Sequence, residues 1–419
     1  MTYIKPEPAS NQSSLVKEIL EQGSEAAQRL NWLQVSNQLK LLPQSKTPSK
    51  AKLFLLTPED WQTAFNLALK MLMQADFQHK WEITKLLPSF GSEIVTPLKN
   101  LVLDEKVAAE VRWFICQVLG DLPNQEVILT LVALLQQTTD SELIAIAGKT
   151  LTKIGDRAID ALVDLLPQPE HRLLAVQSLS YIRTAQTITP LLQIATDQDP
   201  ELRTIAIKAL GSFHDHRVPP VLIVALKDKN SSVRKQAAIA LGFRPDLCRE
   251  LDLITHLQPL LNDLDLEVCR QAAIALGRMK QEAATIALFE VLQAETTPTS
   301  LKLDLVKALG WSEISSGISY LQQALNINNR EELMTKEIIT VLGRITTLEL
   351  KPQSAQVLIH FWQNKRQSYS TYVKQSLATS LGELGNNSAE EVLKQLVEDR
   401  DHKVKLHALA ALKKLSSSQ

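Results

Sequence analysis

The stretch Gln236-Ala-Ala-Ile-Ala-Leu-Gly242 recurs letter for letter as Gln271-Ala-Ala-Ile-Ala-Leu-Gly277, 35 residues later. A self-match at this distance marks an array of supersecondary units, and degenerate copies extend in both directions. The fuller pattern is Val-Arg-x-x-Ala-Ala-x-Ala-Leu-Gly. Its Leu-Gly pair returns at Leu119-Gly120, Leu210-Gly211, Leu309-Gly310, Leu342-Gly343 and Leu381-Gly382, with weaker copies at Leu87-Pro88, Leu151-Thr152, Leu179-Ser180 and Leu412-Lys413. The eleven copies stand 28 to 39 residues apart.

Ahead of each copy lies a second apolar stretch, for example Pro219-Pro-Val-Leu-Ile-Val-Ala-Leu226 before Val233, joined to it by a polar turn such as Lys227-Asp-Lys-Asn-Ser-Ser232. Each unit therefore reads as a helical hairpin. A hairpin of this size does not bury its apolar face alone, so neighbours stack into a superhelix. Seven of the 13 glycines fall in the Leu-Gly slot, and Gly91, Gly155 and Gly385 sit three residues beyond it. Both groups are expected to end helices, where positive φ is needed. Asp197, Asp228, Asp263 and Asp399 precede the basic-slot positions Arg203, Arg234, Cys269 and Lys405 by six residues, where a carboxylate satisfies turn or helix N-terminal N–H groups. Cys269 interrupts the basic slot, with Arg270 next to it.

Composition agrees with this architecture. Apolar residues make up 45% of the 419, aromatics 5%, and Leu, Ala and Gln dominate over a sparse glycine content, which favours helix and excludes an all-β chain. The 45 basic and 46 acidic residues leave a net charge of −1, so no global field attracts nucleic acid or an anionic membrane. The opening residues lack a signal-peptide pattern, and no window reaches 18 apolar residues. The expectation is a soluble, cytoplasmic protein without membrane insertion. Cys116, Cys248 and Cys269 are odd in number and have no C-x-x-C spacing, which suggests small core residues rather than disulfides or zinc ligands.

The Asp-x5-Arg spacing joined to Val-Arg-x-x-Ala-Ala-x-Ala-Leu-Gly resembles HEAT repeats, and specifically the short repeats of the cyanobacterial phycobilisome-lyase-like family of bilin lyase E/F-type subunits. The likeness covers about residues 77–419. It implies an all-α, α-α superhelix of about eleven hairpins over residues 58–419, preceded in 1–57 by a tail, a helical segment and a linker. Residues 1–14 read as disordered, Leu15–Leu42 as one or two helices, and Pro43–Lys50 as the linker. Thr57 and Pro58 then start a helix as N-cap and first residue. Phe65, Leu69 and Leu72 follow as the cap of the array.

The fold is compatible with many activities, so chemistry has to come from particular residues. Deoxyhypusine hydroxylase, a helical-repeat enzyme, takes its iron ligands from His-Glu pairs, and none of the eight histidines here is followed by Glu. His214-Asp215-His216 is the only dense group of potential ligands, and it lacks a third ligand at fixed spacing. No nucleophile elbow, phosphate-binding glycine loop or H-E-x-x-H motif occurs. No catalytic residue, metal ligand or obligatory cofactor is assigned.

The repeat does offer a surface. Counting from the basic slot as position 0, positions −1, +3, +6 and +7 of the second helix (Val233, Ala237, Ala240, Leu241) face one way, so +1 and +5 point away from the core. In HEAT-like arrays that side is concave. Through the central units these positions are Thr204, Lys208, Lys235, Ile239, Arg270, Ile274, Leu303 and Lys307. The stripe reads either as a solvated helix face or as a wall that holds an acidic protein or a linear tetrapyrrole with its propionates.

A second candidate is the unit with the 39-residue spacing, where Phe361-Trp-Gln-Asn-Lys-Arg-Gln-Ser-Tyr-Ser-Thr-Tyr-Val-Lys374 holds four aromatics, three basic residues and no acid. Phe361 and Trp362 are expected in the core, and Arg366, Tyr369 and Tyr372 as an exposed partner contact. Trp81 and Trp113 share the +1 slot of the first two units, either as cap packing or as an aromatic end of the groove.

The reading that results is a non-catalytic scaffold or chaperone-like protein with a protein partner on its concave face. The resemblance makes that partner a phycobiliprotein or another photosynthetic-complex subunit. The alternative, from the same resemblance, is a bilin lyase subunit that binds a linear tetrapyrrole and attaches it to a phycobiliprotein cysteine.

Overall fold

The computed structural model describes residues 9–42, 56–327, 331–364 and 369–417, and among these the regular elements are α- and 3₁₀-helices. The chain divides into two compact units, Met1–Leu191 and Leu192–Gln419.

In the first unit α1 (Ala9–Gln28) and α2 (Trp32–Leu41) precede four hairpins. These pair α3 (Pro58–Gln74) with α4 (Phe77–Leu86), α5 (Val95–Leu103) with α6 (Ala109–Leu119), α7 (Gln125–Gln137) with α8 (Ser141–Ile154), and α9 (Ile159–Leu165) with α10 (Pro169–Tyr181). The boundary between units falls within α11 (Ile188–Ile194). The second unit continues with α12 (Pro200–Leu210), α13 (Val218–Ala225), α14 (Ser231–Gly242), α15 (Leu253–Leu257), α16 (Leu266–Arg278) and α17 (Glu282–Gln293). It ends with α18 (Thr299–Trp311), α19 (Ser315–Ile327), α20 (Glu332–Gly343), α21 (Lys351–Asn364), α22 (Thr371–Leu384), α23 (Glu390–Val397) and α24 (His402–Ser417).

Even-numbered helices from α4 onward carry the Leu-Gly pattern, and within each unit successive ones pack side by side. Their −1, +3, +6 and +7 side chains are buried, as Val233, Ala237, Ala240 and Leu241 show, apart from the half-buried His79 on α4 and Leu412 on α24. Position +4 is buried as well, by Ala238, Ala273, Val306, Ile339 and Ala378, because it faces the neighbouring repeat.

Glycine has two separate roles. At Gly91, Gly155 and Gly385 φ is +87°, +75° and +65°, so these residues end helical segments as expected. The seven Leu-Gly glycines have no positive φ, which corrects the expectation of it there. Gly120 and Gly211 cap their helices, and Gly242 and Gly343 are the last residues of theirs in ordinary helical conformation. All seven mark close approach between repeats. A Cβ on Gly277 would lie 2.6 Å from the Ala308 carbonyl oxygen, and one on Gly382 would lie 2.7 Å from the Ala411 Cβ. In register, position +8 of one second helix meets +6 of the next.

The basic slot links repeats in the second unit. Arg203 pairs with Asp228, and Arg234 with Asp263, each through two bonds of 2.7 Å. Lys374 reaches Asp399 at 2.8 Å. The same aspartates accept backbone N–H groups in their own turns, Asn230 N on Asp228 and Asp265 N on Asp263, which is the role expected of them. Each arginine also donates Nη1 to its own turn, at Asp197 O and Asp228 O. At the interrupted slot the Cys269 thiol donates to Asp263 O at 3.2 Å in place of that arginine contact.

At the N-terminal end, Thr57 caps α3 by accepting Asp60 N. Helix α1 starts at Ala9, so residues 9–14 are helical and the expectation of disorder is corrected there. Once the amphipathic run from Val16 has formed a helix, each further turn residue adds a backbone bond without a new nucleation cost. The 43–50 linker lies outside the described residues. Helices α1 and α2 pack on α3 and α4, where Lys70 Nζ donates to Ala27 O at 3.3 Å and Lys40 pairs with Glu82 at 3.2 Å.

Candidate functional site

The stripe read from the sequence lies on four consecutive second helices of the second unit: Lys208 on α12, Lys235 and Ile239 on α14, Arg270 and Ile274 on α16, and Lys307 on α18. Lys208 is exposed and the other five are half-buried. Among the described residues, Lys208 and Lys235 make no hydrogen bond or ion pair.

Arg270 and Lys307 differ from the sequence reading of a stripe of cations. Arg270 donates to Glu267 at 2.8 Å and to Asp304 at 3.0 Å, and Lys307 Nζ stands 3.4 Å from the other Asp304 oxygen. The acids come from positions −2 and +2, adjacent to those read as the stripe, so counting only +1 and +5 missed them. Arg270 is held by Glu267 of its own helix and Asp304 of the next repeat, and Lys307 by Asp304 of its own helix, so their charge is largely neutralised. Lys235, beside Ile239, is in no hydrogen bond or ion pair among the described residues, and its charge acts on the Asp265 carboxylate of the next repeat.

The irregular unit is corrected in part. Phe361 and Trp362 are buried as expected, with Trp362 Nε1 donating to Gln395 Oε1 at 2.9 Å. Tyr369 is not an exposed contact: its ring stacks on Phe361 at 4.4 Å, and its hydroxyl donates to Phe361 O at 3.2 Å. Burial pushes the Tyr369 phenol up to about 12. Stacking on Phe361 and packing against the tilted Trp362 ring take much of the Tyr369 ring out of water. Tyr372 is 64% exposed. Arg366 lies outside the described residues.

Among the described residues no group of three or more His, Cys, Asp or Glu side chains is placed to hold a metal ion. In the His214-Asp215-His216 segment, Arg217 binds Asp215 at 2.9 Å and holds its carboxyl at about 2. The three cysteines are buried, and burial pushes the Cys116 thiol to about 12. In the first unit Trp81 and Trp113 both pack against the buried Phe114, at 6.5 and 5.2 Å between centroids.

The repeat geometry matches a known family. The HEAT repeats family covers residues 95–170, 159–242 and 219–300. Residues 95–300 of this chain are HEAT repeats. Over 183 residues, 43% of this chain and 90% of the other, it is 25% identical to the "Uncharacterized phycocyanin operon protein Z" of Pseudanabaena tenuis (strain PCC 7409). Among solved structures it is similar to the complex of CpcE and CpcF of phycocyanin lyase from Nostoc sp. PCC7120, at 20% identity, 55% of this chain, 88% of that one and a TM-score of 0.33. It is also similar to human deoxyhypusine hydroxylase, at 21% identity, 64% of this chain, 99% of that one and a TM-score of 0.28. No helix among the described residues is long and apolar enough to cross a membrane.

Proposed function

We propose that this HEAT-repeat chain is a protein-binding scaffold that acts in the assembly of a phycobiliprotein-containing complex, with the second-helix stripe of its second unit as the docking wall. The observation that carries the reading is the pair of cations Lys208 and Lys235, neither in a hydrogen bond or ion pair among the described residues, on consecutive repeats beside the half-exposed Ile239. Cations set among aliphatic surface suit an acidic protein face, which they orient and attract. The phycocyanin operon relative supports a phycobiliprotein as that partner.

The same two ammonium groups favour a second reading. They offer one partner to each of two carboxylates on a linear tetrapyrrole, whose rings would lie on Ile239 and Ile274. In that case the chain is a bilin lyase or a lyase subunit.

One set of variants separates the two. The purified chain is mixed with phycocyanin subunits, and in parallel with phycocyanobilin, and compared with Lys208→Glu/Lys235→Glu. Scaffolding predicts a complex with the subunits that weakens at least about tenfold in the variant, without retained pigment. Stoichiometric pigment that is lost in the variant favours the lyase. If neither subunit nor pigment binds the parent chain, the assignment to phycobiliprotein assembly is wrong.

A further inference from the structure

The first unit carries a surface of different chemistry. The +1 positions of α4, α6, α8 and α10 are Trp81, Trp113, Ala145 and Leu173, with no charge among them, whereas α14 and α16 have Lys235 and Arg270 there. Phe77, one turn before Trp81, is 56% exposed, and Trp81 is 39% exposed. Phe77, Trp81 and Trp113 surround the fully buried Phe114 at 5.2, 6.5 and 5.2 Å. The outer rings are thus held in place from below while their other faces meet solvent.

Ala109 and Ala145, both exposed, leave a hollow between the Phe77 and Trp113 rings and α8, a cleft of about 510 Å³. Its charged lining is three carboxylates, Glu110, Asp140 and Glu142, against one ammonium, Lys149. Glu110 is paired with Lys80, so Asp140 and Glu142 set the sign. The N-terminus of α8 would ordinarily attract an anion, but Asp140 already accepts Glu142 N and Leu143 N, so those two N–H groups are not free for an incoming acid.

A negative rim over aromatic faces selects for cations, since ring quadrupole and carboxylate both favour them, while the apolar walls take hydrocarbon. We propose that this cleft docks an amphipathic helical segment of a protein partner, in which an apolar anchor side chain is flanked by Lys or Arg. A helix laid in a groove presents that pattern at i, i+3 and i+4. The site uses residues of the first unit alone, so it stands or falls independently of the stripe in the second.

The test uses two fluorescently labelled amphipathic helical peptides, one of Leu and Lys and its twin of Leu and Glu, titrated with the full chain and followed by anisotropy. Both peptides are also titrated with a Lys208→Ala/Lys235→Ala chain, whose second-unit stripe no longer attracts acids. In that chain the Leu/Lys peptide should bind and the Leu/Glu peptide should not. Ala145→Trp, which fills the cleft, and Glu142→Lys, which reverses its rim, should each weaken binding at least about tenfold. Both positions are exposed, and unchanged circular dichroism would confirm that the fold persists. The proposal is overturned if in the Lys208→Ala/Lys235→Ala chain the Leu/Glu peptide binds as tightly, if neither peptide binds, or if both cleft variants bind the Leu/Lys peptide as the parent does.

Discussion

Arg234 of one repeat grips Asp263 of the next through two parallel bonds, Nε to Oδ2 and Nη2 to Oδ1, each 2.7 Å long. The side chains are only 16% and 9% exposed, so the pair works at lower dielectric than a surface ion pair. The arginine also holds its own turn through Asp228 O. One residue therefore ties hairpin to hairpin and shapes the turn between its own two helices.

Removing the acid leaves a half-buried guanidinium without its partner. Asp263→Ala is expected to lower stability by roughly 2–4 kcal/mol in urea unfolding. Disrupting the exposed Lys394–Glu390 pair should leave the midpoint unchanged.

Arg112 occupies the same slot on α6, is 6% exposed, and donates Nε to Val102 O at 2.7 Å, but its Nη2 makes no hydrogen bond. The residue in register with Asp228 and Asp263 is Thr138, whose hydroxyl accepts Asp140 N as those aspartates accept the N–H two residues on. Thr138→Asp supplies the absent carboxylate without changing the turn. It should raise the unfolding free energy by about 1–2 kcal/mol, and the gain should vanish in an Arg112→Met background.

The two glycine roles predict different penalties. Gly277→Ala drives a methyl into the Ala308 backbone, which does not yield, so a loss of about 2–3 kcal/mol is expected. Gly385→Ala meets nothing within 4 Å and has to bear only a left-handed φ of +65°, which costs about 1 kcal/mol. Chemical denaturation of both variants checks the order.

Glu313 ties three repeats. It accepts Thr346 N at 3.1 Å and the hydroxyls of Thr346 and Thr347, and pairs with Lys280 at 3.6 Å. The Thr346 hydroxyl contributes most to holding its carboxyl at about 2, against an ordinary 4.5. Because the folded value is the lower one, this stabilisation is complete above 4.5 and disappears as pH falls toward 2. Glu313→Gln should cost about 2 kcal/mol at pH 7 and little near pH 2, read from urea midpoints across that range.

The heptapeptide repeat by itself determined the helical hairpin, its register, the Leu spine and the basic slot. All of these follow from the 3.6-residue period within one helix, which says which way each side chain points from its own axis. It does not say what the neighbouring hairpin places opposite. Only the tertiary structure decided that Gly277 is a contact rather than a terminator, that Glu267 and Asp304 neutralise Arg270, that Tyr369 folds onto Phe361, and that Phe77 and Trp113 border a cleft. Most of these outcomes depend on atoms about thirty residues apart meeting within a few ångströms when repeats stack, and nearest-neighbour packing sets that distance where the helical period does not.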